Sequence, residues 1–134
     1  MSSIFSKIIS GEIPAYKVAE SLDFLAFLDI NPLAEGHVLV IPKHEVDYLF
    51  DIEDEQYTGL MLFAKIVATA MKQVIPCKKI GVAVIGLEVP HAHIHLVPMN
   101  EVGDLNFSRP KLSFTPEQME ATTEKIKAAL REED

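Results

Sequence analysis

Three of the chain's five histidines fall in the run His91-Ala92-His93-Ile94-His95-Leu96-Val97-Pro98, and their strict alternation with apolar residues constrains the fold more than any other feature. Side chains of an extended strand alternate between faces, so His91, His93 and His95 project together while Ala92, Ile94 and Leu96 project the other way. Such a strand must lay one face on a core and turn the other toward something polar. Same-face positions lie about 6.6 Å apart along a strand, close enough for ring-to-ring or ring-to-ligand hydrogen bonding along the row, so the row suits a phosphate-sized ligand.

Three chemistries compete for that face. A merely structural histidine face is the plainest, although three histidines in strict alternation within an apolar strand are an unusual way to build one. Metal binding is the second. Side chains that stand perpendicular to a sheet do not converge, so the outer pair could hardly share one ion, and a two-histidine site would need further ligands, for which His37, His44 and Glu45 are candidates. Nucleophilic catalysis is the third. Imidazole, with an ordinary pKa near 6.5, is largely neutral at pH 7 and can attack phosphorus to give a phosphoramidate that water then cleaves.

The rest of the chain supplies a frame for this strand. Ser3 can cap a short helix whose apolar face is Ile4, Phe5, Ile8 and Ile9 and which Gly11 ends, giving an N-terminal helix within residues 1–11. Tyr16 to Ala19, Phe24 to Asp29 and His37 to Ile41 read as strands, the last closed by Pro42. From Asp54 to Ile75 apolar residues recur at helical spacing until Pro76 stops them, which predicts one long amphipathic helix. Gly81 to Ile85 and His91 to Val97 are two more strands, joined through Gly86-Leu87-Glu88-Val89-Pro90. Thr115-Pro116-Glu117-Gln118 is a capping-box start for a C-terminal helix over 115–131, with Met119, Ile126 and Leu130 on its apolar side. About five strands and two substantial helices, with hairpin-like neighbours early on, predict an α+β domain with a mainly antiparallel sheet. The acidic end, Arg131 to Asp134, is expected to fray.

Composition narrows the function. With 134 residues the chain makes one domain, residues 1–134. A net charge of -8 argues against holding a nucleic acid polymer by phosphate neutralisation. A local site can still attract a small anion, because charges are screened over only about 8 Å at physiological salt. The single Cys77 cannot form an internal disulfide. With no apolar run of membrane-spanning length and no signal-peptide core in Met1 to Ser10, the expected location is the cytoplasm, with no membrane partner.

The run His91-Ala92-His93-Ile94-His95-Leu96-Val97 resembles the H-φ-H-φ-H-φ-φ signature, φ being apolar, of the histidine triad family. Three further blocks, Ile4-Phe5-Ser6-Lys7-Ile8-Ile9 with Glu12-Ile13-Pro14-Ala15, Ala26-Phe27-Leu28-Asp29-Ile30-Asn31-Pro32, and Gly36-His37-Val38-Leu39-Val40-Ile41-Pro42-Lys43, are similar in the same order to its Hint-like, nucleotide-binding branch. Together the blocks cover most of the first 100 residues. The resemblance implies a hydrolase that cleaves purine nucleoside phosphoramidates or related AMP or GMP conjugates through a nucleotidyl-histidine intermediate, as a homodimer, with no metal or other cofactor. It makes His93 the nucleophile, and it has His91 and His95 orient it, contact phosphate and help protonate the leaving group. Asp29 would accept hydrogen bonds from the ribose hydroxyls; without the resemblance it reads as a turn residue before Asn31-Pro32. Ile4, Phe5, Ile8, Phe27, Ile30 and Leu39 would form the apolar base pocket, with Glu88 and Val89 of the loop before the triad also at the nucleotide.

The chain also departs from the family pattern. The loop Ala83 to Pro90 lacks the Asn and Gln usual there. Glu88 stands where some members carry a hydroxyl, and a carboxylate beside phosphate would repel it by about 1 kcal/mol. Many members have His in a Pro-Lys-x-His block; here Pro42-Lys43-His44-Glu45 puts Glu45 in that place, and a one-residue shift turns His44 to the opposite face of a strand. Two alternatives to the phosphoramidase follow. One is a dinucleoside polyphosphate hydrolase, which Leu87 disfavours because a polar residue there would help a polyphosphate leave. The other is a nucleotide-binding or partner-binding module without catalysis.

Overall fold

The computed structural model describes residues 3–133; Met1 and Ser2, within the expected 1–11 helix, and Asp134 lie outside it. Five strands, β1 (Lys17–Glu20), β2 (Phe24–Leu28), β3 (Val38–Pro42), β4 (Lys79–Ala83) and β5 (Ile94–Met99), form one sheet in the order β1-β2-β3-β5-β4. Every pairing in it is antiparallel. Three helices complete the α+β fold: α1 (Ile4–Ser10), α2 (Asp54–Val74) and α3 (Pro116–Glu133). No helix among the described residues is long and apolar enough to cross a membrane.

β2 and β3 are buried on both faces, and their alternation splits the interior in two. Phe24, Ala26, Leu28, Val38 and Val40 join Ile94 and Leu96 in the larger core, which α2 covers with Leu60, Ala64, Val67 and Met71 and α3 with Met119 and Ile126. Burying each of the large aliphatic side chains contributes about 1.5–3 kcal/mol, so this face carries most of the stability. The opposite positions, Leu25, Phe27, Leu39 and Ile41, form a smaller core with Phe5 and Ile8 of α1. Leu39 pairs with His95 across β3 and β5, which puts His95 on the α1 side of the sheet.

The helix ends follow from the sequence. Ser3 caps α1 by accepting from the Ser6 N–H, and Gly11 ends it in the left-handed region with φ 88°. Thr115 and Gln118 form the expected capping box on α3, Thr115 N–H donating to Gln118 Oε1 at 2.8 Å and Gln118 N–H to Thr115 Oγ1 at 3.1 Å. α3 then runs to Glu133, so much of the end expected to fray is helical.

The strand through the histidines is shorter at its start than its sequence predicts. β5 begins at Ile94, and His91, Ala92 and His93 lie before it. Pro90 has no N–H, the ladder with β4 stops at the Ala83–His95 pair, and that with β3 stops at Val40–Ile94. Two of them find other main-chain partners: the His91 N–H donates to Val89 O at 2.8 Å and the Ala92 N–H to Val46 O at 2.7 Å. β4 likewise spans Lys79–Ala83 rather than 81–85, because its pairing starts at Lys79 with Met99 and ends before Gly86, whose φ is 67°.

Candidate active site

The three triad histidines are buried together despite the early break in the strand, with His91 at 0%, His93 at 7% and His95 at 8% exposure. Their rings form an edge-to-face row. Phe5 of α1 lies 4.9 Å from His93 between ring centroids, His93 lies 5.0 Å from His95, and His95 lies 4.6 Å from Phe107. Phe5 also meets His91 at 5.8 Å and so stands between it and His93, while Phe107 covers the His95 end; both phenylalanines come from outside the sheet.

Hydrogen-bond direction fixes the proton on each ring, since an amide N–H can only donate and a carbonyl can only accept. Nε2 of His91 donates to Pro42 O at 2.8 Å, which leaves its Nδ1 to accept from the Ser3 hydroxyl at 2.9 Å. Both nitrogens of His91 are therefore occupied. Nδ1 of His93 donates to the His91 carbonyl at 2.7 Å, so its Nε2 carries a free lone pair. At the far end the Leu33 N–H donates to Nδ1 of His37 at 3.0 Å; the proton of His37 sits on Nε2 and is donated to Nδ1 of His95, also at 3.0 Å. His95 must then carry its own proton on Nε2. Every fully buried side-chain nitrogen or oxygen among the described residues has a partner, so the two nitrogens without one, Nε2 of His93 and Nε2 of His95, are the ones that reach solvent.

Burial disfavours the charged form of His37, His91 and His95. It pushes His37 down to about 3 and, with the His93 ring as a second cause, His95 down to about 4, against an ordinary 6.5. His91 is also lowered, chiefly by burial, with its bond to Pro42 O opposing. Asp29 sits just past β2. Its Oδ1 accepts from the Asn31 N–H at 2.9 Å, the turn contact that its sequence position suggests, and its Oδ2 lies 3.7 Å from Nε2 of His37. Burial raises its pKa.

Asp29, His37 and His95 bring one ligand atom each within 4.8 Å of one another, the spacing of a metal centre. The protons count against that use. The nitrogen of His37 facing the cluster bears the ring's proton, and freeing it for a metal would break the bond from Leu33. The relay from the Leu33 N–H through His37 instead fixes the tautomer of His95, with the Asp29 carboxylate nearby but not hydrogen-bonded to either ring.

A HIT domain model matches residues 10–102, more than half of the chain. The chain belongs to the HIT family. It is 44% identical over 99 residues, 73% of its own length, to the adenosine 5'-monophosphoramidase HNT1 of Saccharomyces cerevisiae, and it spans 63% of that longer relative. A Schizosaccharomyces pombe adenosine 5'-monophosphoramidase is 34% identical, with 98% of this chain and 100% of the relative aligned. Among solved structures, a HIT-like protein from Bartonella henselae superposes with a TM-score of 0.83 at 32% identity, over 96% of each chain.

Within this HIT protein, the residues expected to line a base pocket divide. Phe5, Ile8, Phe27 and Leu39 are buried together in the small core beside the histidine row, with Val89 packed against it. Ile4 and Ile30 are not part of that cluster: they stand 50% and 67% exposed, because α1 turns Ile4 outward and the turn at Asp29 carries Ile30 off the sheet. Glu88 and Leu87 face solvent on the loop. His44 lines a separate cavity of about 470 Å³ with Lys43, Asp51 and Gln56, apart from the row.

Two partners at the His95 end of the HIT row are not read from the sequence in that role. His37 enters there as a candidate metal ligand and as the start of a strand within a family block, yet it fixes His95; its place two residues before Leu39, the pairing partner of His95, is the available signal. Phe107 had no signal, because it reaches His95 from the irregular segment between β5 and α3. That segment is tied down by Leu112 N–H donating to Pro32 O at 2.8 Å and by Lys111 Nζ donating to Phe107 O at 2.6 Å.

Proposed function

We propose that this protein is a nucleotide phosphoramidase that hydrolyses adenosine 5'-phosphoramidate or related purine nucleotidyl conjugates through a nucleotidyl-His93 intermediate. The observation that carries this reading is the free lone pair on Nε2 of His93, fixed by the bond from its Nδ1 to the His91 carbonyl. The relatives named as adenosine 5'-monophosphoramidases supply the substrate class.

In the reaction, Nε2 of His93 forms a bond to the α-phosphorus as the substrate's P–N bond breaks. The anionic phosphate beside His95 raises that ring's hold on a proton, and the protonated His95 passes its Nε2 proton to the departing amine. Water then attacks phosphorus, giving a proton back to the vacated Nε2 of His95, the P–Nε2 bond to His93 breaks, and the nucleoside monophosphate leaves. His91, saturated by Pro42 and Ser3, orients His93 through its carbonyl and takes no part in proton transfer. Asp29 Oδ2 accepts from the ribose, while Phe5 and Phe27 shape the base side. No step calls for a metal.

The test is turnover of adenosine 5'-phosphoramidate after exhaustive chelation, with acid-quenched protein weighed for an adenylyl adduct. His93→Ala should lose several orders of magnitude in kcat and all of the adduct. Substantial residual turnover in that variant would overturn the assignment. For assembly, we infer a homodimer through the edge strand β4, where Val82 is left exposed, with Val84 and Ile85 exposed just past its end and Leu62 and Ile66 exposed on α2. A monomeric mass by light scattering at micromolar concentration would exclude it.

A further inference from the structure

Glu45 stands outside the reaction just described, at a position where the sequence departs from its family, and the structure gives it a task. Its Oε1 accepts two hydrogen bonds from the start of α1, one from the Ser3 N–H at 2.8 Å and one from the Ser6 hydroxyl at 2.6 Å. These bonds hold its carboxyl down to about 2. Ser3 in turn donates its hydroxyl proton to Nδ1 of His91, and Nδ1 of His91 itself lies 4.0 Å from the carboxylate. His91 is fully buried and its carbonyl receives the Nδ1 proton of His93.

A continuous chain of contacts therefore runs from Glu45 through Ser3 and His91 to the nucleophile. The same helix start carries Phe5, whose ring meets His91 at 5.8 Å and His93 at 4.9 Å. We propose that Glu45 is a positioning residue: by pinning the first turn of α1 it keeps Ser3 on His91, and so keeps the His91 carbonyl where it selects the tautomer of His93 with Nε2 unprotonated. This rests on the reading of His93 as nucleophile only for its kinetic consequence; the effect on the tautomer stands apart from it.

Without the pin, Ser3 leaves, a fully buried His91 is short of a donor at Nδ1, and its ring and carbonyl shift to find one. His93 then loses the single contact that distinguishes its two nitrogens. Both bonds go to one carboxylate oxygen, so an amide oxygen in the same place can accept them both. Glu45→Gln is therefore the conservative rescue and Glu45→Ala the break.

The experiment measures kcat, KM and AMP affinity on adenosine 5'-phosphoramidate for the parent, Glu45→Ala, Glu45→Gln and Ser3→Ala. Alongside, long-range 1H–15N correlation spectra report the protonated nitrogen of each histidine, and circular dichroism reports the fold. Glu45→Ala and Ser3→Ala should each lower kcat by about tenfold with AMP affinity nearly kept, the scale of a small misplacement of a reacting group. Both should turn the single-tautomer signal of His93 into a mixture, and Glu45→Gln should restore parent values. A Glu45→Ala protein that is folded, with His93 still a single tautomer, overturns the proposal. Turnover that survives His93→Ala would sink the nucleophile assignment instead, while the tautomer spectra would still judge the linkage.

Discussion

The two ends of the histidine row are built by opposite means. At the His91 end the ring is fully buried and both nitrogens are taken, one by a main-chain carbonyl and one by a serine hydroxyl. At the His95 end one nitrogen is held by His37 and the other is left over, under the cover of a phenylalanine ring rather than a hydrogen bond. On the proposed mechanism saturation makes a histidine structural and a single fixed contact makes it chemical, so the same side chain four positions along the same run takes either role according to what meets its second nitrogen.

The sharpest way to break this contrast is to truncate each end in turn. His95→Ala should lower kcat by about 10²–10⁴-fold, the range for a positioned proton donor, while the stranded His37 Nε2–H costs only about 1–3 kcal/mol of unfolding free energy. His91→Ala should instead destabilise the fold by about 2–4 kcal/mol, since it opens a cavity and strands Pro42 O and the Ser3 hydroxyl. Urea unfolding and kcat measured well below each melting temperature separate the two. Equal effects on both readouts would erase the distinction.

Asp29 belongs to the His95 end, and its substitution tests whether that end reads the ribose. Asp29→Ala should weaken AMP binding by about 1.5–3 kcal/mol, the worth of a hydrogen bond to a charged group. A 2',3'-dideoxy analogue should bind the parent poorly and lose almost nothing more in the variant. Strict additivity across the four calorimetric combinations would leave Asp29 with only its turn contact to Asn31.

Acid should expose the same difference in stability. In the unfolded chain both His37 and His95 take a proton near 6.5, whereas burial holds them at about 3 and about 4 in the folded protein. Between those values the unfolded chain binds more protons. Stability from these two groups is full above about pH 6.5, falls as pH drops at up to about 1.4 kcal/mol per pH unit for each, and levels off below their folded values. Urea midpoints taken from pH 7 to 4 should fall, and fall less in His37→Gln, which has one ring fewer to protonate.

Much of this was legible in the sequence, and the exceptions share a cause. Local signals decided Ser3, Gly11 and the Thr115 capping box, because a cap is chosen by residues within one turn. Apolar runs marked Phe24 to Leu28 and Val38 to Ile41 as strands but not which residue faces which core, because both faces of those strands are buried and no alternation shows. Alternation did gather His91, His93 and His95, but it overran the start of β5 at Ile94, since where a strand starts depends on when its neighbours stop pairing. Glu45 was visible as a departure, yet its partners Ser3 and His91 lie 42 and 46 positions away in the chain, a separation that no local pattern encodes. Phe107 is the extreme case, a side chain delivered by a segment with no regular structure.

Phe107 also gives the smallest and most local of the expected effects. Its ring is the cover at the open end of the row, 4.6 Å from His95, and burial is the first cause of the low pKa there. Phe107→Ala removes cover without touching a hydrogen bond, because the main-chain carbonyl that Lys111 grips remains. The His95 pKa should therefore climb from about 4 toward 6.5, while that of His91, shielded at the other end of the row, should stay where it is. Histidine titration by NMR reads both rings in one experiment. If His95 does not move, its neutrality comes from the His93 ring and the bond from His37 rather than from the aromatic cover, and the two ends would differ only in their hydrogen bonds. If His91 moves as well, the row responds as one body, and the division between a structural end and a chemical end fails.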